Sequence, residues 1–206
     1  MTLTVPDEIP RPRGWSRRAA AALLHAFGWR LAWAAPPGPK GVLMVYPHTS
    51  NWDFIVGVLY RHAVGIEAQW MGKDSLFKGP AGPLMRALGG IAIDRSAARG
   101  VTATIAREFE RRERLWLAIT PEGTRSWVPS LKSGFYRISL AARVPCGLAF
   151  IDYGARRVGV DTYVHFTGDE ARDLETLRSY YSDKRGKHPD QAGMIDFGPA
   201  ARVPET

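Results

Sequence analysis

Short apolar runs separated by polar stretches rich in glycine and proline recur along the chain. Residues 41–46 (Gly-Val-Leu-Met-Val-Tyr) and 115–119 (Leu-Trp-Leu-Ala-Ile) are nearly uninterrupted and too short for helices, so they read as buried strands. Residues 68–71, 91–93 and 147–151 read as strands too, and 158–164 alternate as a strand with one face in the core does. Between them, 53–62, 84–88, 98–114, 132–143 and 174–181 predict helices, the third carrying its charge on one side. Pro36-Pro37-Gly38-Pro39 breaks the chain between an N-terminal helix, drawn as far as Trp33, and the first strand. Strands alternating with helices predict an α/β fold: a mixed β-sheet flanked by helices, preceded by an N-terminal amphipathic helix. The expected division is 1–35 for that helix and 36–206 for one folded domain, with no internal repeat.

Composition agrees with a globular domain. The 206 residues are 45% apolar and 23% charged, enough for a substantial core. The net charge of +8 attracts anions without choosing among nucleic acid, anionic lipid, an acidic carrier protein or a coenzyme. The single cysteine, Cys146, excludes an internal disulfide and reads as a core residue, which suits a reducing compartment. No apolar stretch is long enough to span a bilayer, and no secretory signal is legible. Membrane contact would instead fall to the N-terminus, where Trp15, Leu23, Leu24, Phe27, Trp29, Leu31 and Trp33 interleave with Arg11, Arg13, Arg17, Arg18 and Arg30. Leu24 and Trp33 fall on opposite sides of an ideal helix, so a terminal helix packed on the domain is the competing reading.

The chemistry concentrates in two loops. His48 and Asp53 would lie about 140° apart on one helix. With Pro47 ending the strand and Ser50 or Asn51 capping a helix near Trp52, His48 instead sits on a loop and Asp53 in the first turn. The carboxylate then reaches back to one ring nitrogen, fixing the tautomer and freeing the other to take a proton. The plain alternative is an aspartate favoured by the helix dipole beside a polar loop histidine. The second loop, Glu122-Gly123-Thr124-Arg125-Ser126, follows the strand at 115–119. Gly123 permits close backbone approach, Thr124 and Ser126 can donate to phosphate oxygens, and Arg125 can hold two of them. Its plain alternative is a polar turn with a surface ion pair between Glu122 and Arg125. Both loops follow strands, so both can face one crevice at the carboxyl ends of the sheet. No G-x-S-x-G elbow, phosphate-binding loop, dinucleotide fingerprint or nucleic-acid-binding signature is present.

These residues resemble a known family. His48 to Asp53 is similar to the H-x-x-x-x-D motif of the glycerophospholipid acyltransferases, which include 1-acylglycerol-3-phosphate acyltransferase and its lysophospholipid relatives. Glu122-Gly123-Thr124-Arg125 matches their E-G-T-R motif. Gly89-Gly90-Ile91-Ala92-Ile93-Asp94-Arg95 resembles their second block, Lys73 falls where relatives carry a lysine, and Val144-Pro145 resembles the start of the fourth block. The blocks come in the family's order and cover residues 41 to about 151. Pro47 replaces a common asparagine, and Cys146-Gly147-Leu148 stands where a second proline is usual.

The resemblance implies an O-acyltransferase carrying a fatty acyl group from a thioester donor, acyl-CoA or acyl carrier protein, to the hydroxyl of a lysophospholipid, with 1-acylglycerol-3-phosphate as the default. His48 would be the general base and Asp53 its orienting partner. Glu122, Gly123, Thr124, Arg125, Arg95 and Lys73 would serve substrate binding, Glu122 chiefly by bracing its loop. No cofactor, metal or covalent acyl-enzyme is called for. The expected partners are an anionic membrane surface, the donor and the lipid acceptor, with no nucleic acid. The expected place is the cytoplasm, peripheral on the inner face of the cell membrane. Three alternatives stay open: a thioesterase using the same His–Asp pair on water, an acyltransferase for a non-glycerol lipid, and a non-enzymatic module binding nucleic acid or membrane through the basic surface.

Overall fold

The computed structural model describes residues 14–93 and 101–198. Among these, helix α1 (Trp15–Ala26) is followed by β1 (Arg30–Trp33), β2 (Lys40–Val45), α2 (Trp52–Val64), β3 (Ala68–Lys73), α3 (Gly82–Ala87), β4 (Gly90–Ile93), α4 (Val101–Arg111), β5 (Leu115–Ile119), α5 (Gly134–Ala142), β6 (Cys146–Asp152), β7 (Arg157–Val164) and α6 (Glu170–Tyr181). Short 3₁₀ turns lie at Asp74–Phe77 and Pro189–Gln191. The strands form one sheet in the order β1-β7-β6-β2-β5-β3-β4. Neighbours from β6 to β4 are parallel, β7 runs antiparallel to β6, and β1 lies parallel to β7. The mixed sheet flanked by helices is the one predicted.

Side chains alternate across the central strands, as the pleat requires. Val42, Met44, Leu117, Ile119, Leu148 and Phe150 enter a core completed by α4, α5 and α6 through residues such as Phe109, Phe135, Ile138 and Leu177. Leu43, Trp116, Ala149 and Ile151 face the other way, with Val158 and Val160 of β7, toward α1 and α2.

The largest departure from the sequence reading is at the N-terminus. The predicted helix ends at Ala26, Gly28 turns the chain at φ 77°, and Arg30–Trp33 becomes a strand. The physical reason is burial: Leu31, Ala32 and Trp33 are all buried, which a sheet edge covered by helices permits and a surface helix does not. The conflict between Leu24 and Trp33 disappears because they occupy different elements. Helix α1 packs against α2 through Ala20, Ala21 and Leu24, and Arg17 near its start rests on Gly65 at the end of α2, so the two helices run antiparallel. Opposite that buried stripe, Trp15, Ala19, Ala22, Leu23 and Ala26 share an exposed face about 100° wide, and exposed Phe27 follows the helix.

Other differences are at boundaries. Helix α6 begins at Glu170, earlier than predicted, because Asp169 caps it by accepting the Arg172 N–H (3.2 Å). The helix drawn over 98–114 is described from Val101 and ends at Arg111. Lys132 and Ser133 precede α5 rather than belonging to it.

Candidate functional site

Strands β5, β2 and β6 are parallel neighbours, so their carboxyl ends open side by side. The loop after β5 carries Glu122–Ser126, the loop after β2 carries His48, and Tyr153 directly follows β6. One edge of the sheet therefore gathers residues more than a hundred positions apart.

The His48 loop is held by its own carboxylate. Asp53 Oδ2 accepts the N–H groups of Thr49 (2.8 Å) and Ser50 (2.9 Å), folding the loop back over the first turn of α2. Asn51 occupies the cap position but does not cap with its side chain; Ser50 Oγ instead takes the Trp52 N–H (3.2 Å). His48 Nδ1 lies 3.2 Å from Asp53 Oδ2. The contact is one of charge and proximity: Nδ1 is buried and off the line of a hydrogen bond. Catalytic hydrogen bonds commonly tighten only when substrate is bound. Asp53 Oδ1 accepts from the Tyr153 hydroxyl (2.8 Å). Burial alone would raise the Asp53 pKa; the contacts with His48, the Ser50 N–H and Tyr153 outweigh it and hold the carboxyl below its ordinary value. Tyr153 is pushed well above the ordinary tyrosine value, first by burial and then by Asp53, so it stays a donor.

Glu122 does not form the surface ion pair considered for its loop. It is fully buried, and its carboxylate accepts the His48 backbone N–H (3.2 and 3.0 Å), with the Gly193 N–H at 3.5 Å. The E-G-T-R loop thus braces the His48 loop directly. Burial pushes the Glu122 carboxyl up to about 8, the N–H groups of His48 and Gly193 pull it down, and the nearby Asp53 charge adds to the rise. Gly123 has φ 65°, and a Cβ there would fall 2.7 Å from Lys132 Nζ, so the lysine ammonium rests on the glycine. Thr124 and Arg125 are exposed beside it. Lys73 is the last residue of β3, next to β5 at the same edge; its side chain lies outside what is described. Arg95 lies outside the described residues.

A cavity of about 720 Å³ opens at His48, Asn51, Thr120, Thr124 and Arg125 and continues between α2 and the sheet. Past this polar mouth its walls are mainly apolar, with Val58 and Ile66 on one side, Trp70, Met71 and Met85 on another, and Ala118 and Ala149 on the sheet, while Arg61 and Ser75 add polar groups to the lining. It follows α2 from Asn51 to Arg61, about 15 Å of helix. The site therefore joins a histidine beside an ionised carboxylate, an exposed arginine, and a channel shaped for a hydrocarbon chain.

The sequence reading missed Tyr153 and the segment 183–193. Tyr153 had a usable signal, since it follows a strand at the functional edge of the sheet. The segment crosses both loops as a strap. Arg185 N–H donates to Asp152 Oδ1 (3.2 Å), Tyr153 N–H donates to Arg185 O (2.8 Å), and His188 N–H donates to Thr49 Oγ1 (3.1 Å). With its amide nitrogen turned to face the two carbonyls, Gln191 donates to Arg125 O (2.8 Å) and Thr49 O (3.2 Å). Nothing in its polar sequence distinguished the strap from a surface loop. Among the described residues no three His, Cys, Asp or Glu side chains cluster as a metal site would require, and no helix is long and apolar enough to cross a membrane.

A family model described as Acyltransferase matches residues 35–147. The fold is similar to that of the 1-acyl-sn-glycerophosphate acyltransferase PlsC from Thermotoga maritima, with a TM-score of 0.53 and 15% sequence identity over 81% of this chain and 73% of that one. No curated protein sequence matches the chain.

Proposed function

The chain belongs to the acyltransferase family, whose model matches more than half its length, and from that premise we propose that it moves a fatty acyl group from a thioester to the free hydroxyl of a lysophospholipid. The lead acceptor is 1-acylglycerol-3-phosphate, and the donor is acyl-CoA or acyl carrier protein. The observation that carries the reading is the channel, mainly apolar and opening at His48, Asp53 and Arg125.

The acyl chain of the donor lies in the channel with its thioester carbonyl at the mouth. His48 Nε2 takes the proton of the acceptor hydroxyl as its oxygen attacks the carbonyl carbon. Asp53 stabilises the imidazolium through Nδ1, and Tyr153, donating to the other carboxylate oxygen, keeps that carboxylate ionised and in place. The tetrahedral intermediate collapses with cleavage of the carbon–sulfur bond, and the imidazolium returns the proton to the departing thiolate. Glu122 fixes the loop that carries the base. Arg125, with Gly123 and Thr124, holds the acceptor phosphate; Lys73 and Arg95 are assigned to substrate binding by their place in the motif blocks.

Docking on an anionic membrane is assigned to the exposed apolar face of α1. One face of this helix packs on α2 while the other, with Trp15, Leu23 and Phe27, is exposed among the described residues. That assignment carries with it a peripheral position on the inner face of the cell membrane.

Thiol release from palmitoyl-CoA, with and without 1-acylglycerol-3-phosphate and beside His48→Ala, tests the reading. Release that needs the acceptor and vanishes in the variant supports transfer. Release without acceptor makes the protein a thioesterase. Transfer to a monoacyl lipid lacking glycerol, but not to 1-acylglycerol-3-phosphate, moves the acceptor class.

A further inference from the structure

The residue after His48 is buried and sends its polar groups in two directions. Thr49 is 2% exposed. Its N–H donates to Asp53 Oδ2 (2.8 Å), the oxygen that lies 3.2 Å from His48 Nδ1. Its hydroxyl oxygen accepts the His188 N–H (3.1 Å), and its carbonyl accepts from the Gln191 amide (3.2 Å). Thr49 thus joins the carboxylate oxygen that faces the base to a strap 139 residues further along the chain.

The strap also packs closely on the loop. A Cβ at Gly186 would fall 2.7 Å from Thr49 Oγ1, 2.9 Å from Thr49 Cγ2 and 3.4 Å from Pro47 Cγ. Threonine is stiff at χ1 and cannot swing aside cheaply, so a side chain at 186 would press on the loop. On the other flank of His48, the Tyr46 hydroxyl donates to Gly193 O (2.8 Å) in a buried contact. The strap also holds Tyr153, whose N–H donates to Arg185 O (2.8 Å) and whose hydroxyl donates to Asp53 Oδ1. Residues 185–193 therefore grip both flanks of His48 and the tyrosine that fixes its partner carboxylate. All of them lie outside the span 35–147 that the family model matches. The His48–Asp53 contact has little directional hold of its own, because Nδ1 is off the line of a hydrogen bond. Its geometry comes from what holds the loop, and a displacement of about 1 Å can cost about a hundredfold in rate.

We propose that Thr49 is a positioning residue for acyl transfer: through its hydroxyl the C-terminal strap sets the backbone N–H that holds the Asp53 carboxylate, and so the register of that carboxylate with the His48 ring. This rests on the acyl-transfer reading for its effect on rate, but its effect on the imidazole is measurable without turnover. Thr49 is not part of the cavity lining, so it acts through Asp53 rather than on substrate. The position needs a hydroxyl and not bulk alone. Valine has nearly the same shape but leaves the His188 N–H without its acceptor.

The test compares wild type, Thr49→Val, Thr49→Ser and Gly186→Ala in steady-state transfer, thermal melts and nitrogen NMR of the His48 imidazole. Thr49→Val is expected to lower kcat about tenfold to a hundredfold, the scale of a misplaced base, with the KM of both substrates near wild type. Thr49→Ser, which keeps the hydroxyl, recovers most of the rate. Gly186→Ala, which presses on Thr49 from the strap, lowers kcat in the same way. Combined with Thr49→Val it lowers kcat by less than the product of the two separate effects, because both act through one contact. The imidazole nitrogen shifts move in Thr49→Val and Gly186→Ala and return in Thr49→Ser. An unchanged kcat in Thr49→Val overturns the proposal, as does an equal fall in Thr49→Ser or a change confined to KM. A loss of rate that follows the unfolded fraction, with activity per folded molecule at the wild-type value, makes the tie structural only and overturns it too. Should wild type transfer no acyl group while the imidazole shifts still move and return, the acyl-transfer reading fails and the positioning stands. Imidazole shifts that stay fixed, in a wild type that transfers, overturn the positioning alone.

Discussion

The two faces of the sheet are built from the same strands and do opposite things. On the α4–α5–α6 face the inward residues are large: Met44, Leu117, Phe135, Leu148 and Phe150 close a core in which Phe135, Met44 and Leu148 have no exposure. On the α1–α2 face the alternate positions of the same strands carry Leu43, Ala118 and Ala149, and the space the alanines leave belongs to the cavity. Close packing leaves few voids larger than a water in a domain of this size. A cavity of about 720 Å³ on the α1–α2 face is thus a site for a ligand. Buried apolar side chains pack on both faces, but the cavity lies on one, and the pleat assigns each residue to its side.

The comparison breaks most sharply at the dyad. His48→Ala is expected to lower kcat by about 10²–10⁴-fold while leaving the thermal midpoint near wild type; a large loss of stability instead would mean that the functional edge also holds the fold together. A paired test crosses the sheet at neighbouring positions. Leu148→Ala, on the filled face, should cost about 2–5 kcal/mol in denaturant melts and leave activity per folded molecule intact. Ala149→Leu, on the cavity face, should shift the melt little and cut kcat/KM for long-chain donors about tenfold or more. Equal stability losses in the two variants would erase the distinction.

The exposed side of α1 extends the comparison outward. Replacing Trp15, Leu23 and Phe27 together by serine should weaken partition onto anionic vesicles by about a thousandfold or more, given about 1.5–3 kcal/mol for each large apolar side chain buried. Transfer to a monomeric acceptor should persist, and unchanged co-sedimentation would remove α1 as the docking element. The smallest effect is a pH dependence. Glu122 rises from 4.5 to about 8 on folding, so the folded chain holds its proton between those values. The stability that the neutral carboxyl confers is full below about 4.5 and is lost as pH rises through about 8. Asp53, held below its ordinary value, acts in the opposite sense and loses its contribution only as pH falls through its depressed pKa. Glu122→Gln, which keeps an oxygen for the His48 N–H, should therefore flatten the fall in thermal midpoint between pH 5 and pH 8.5; an unaltered slope would show that another group titrates there.

Much of this was legible one segment at a time. The strands at 41–46 and 115–119 were readable because short apolar runs bounded by breakers admit few other structures, and the His48 loop followed from Pro47 and the need to bring Asp53 back. Glu122 was legible as a brace, although what it braces was not: its partner is a backbone N–H, and a backbone N–H leaves no mark in a sequence. The strand at Arg30–Trp33 was misread as helix because its pairing partner, β7, lies more than a hundred residues away. Tyr153 escaped because its role depends on β6 lying beside β2.

The sequence by itself determined the class of fold and the two chemical loops, because strand period, chain breakers and residue type are local properties that survive without their neighbours. It also carried the excess of positive charge. Only the tertiary structure decided which strands adjoin, and hence that His48, Glu122 and Tyr153 share one edge, that one face is filled while the other holds a channel, and that the strap is tied to Thr49. Those outcomes depend on strand order and on packing between segments far apart in the chain, where the free energy belongs to pairs of residues rather than to any one of them.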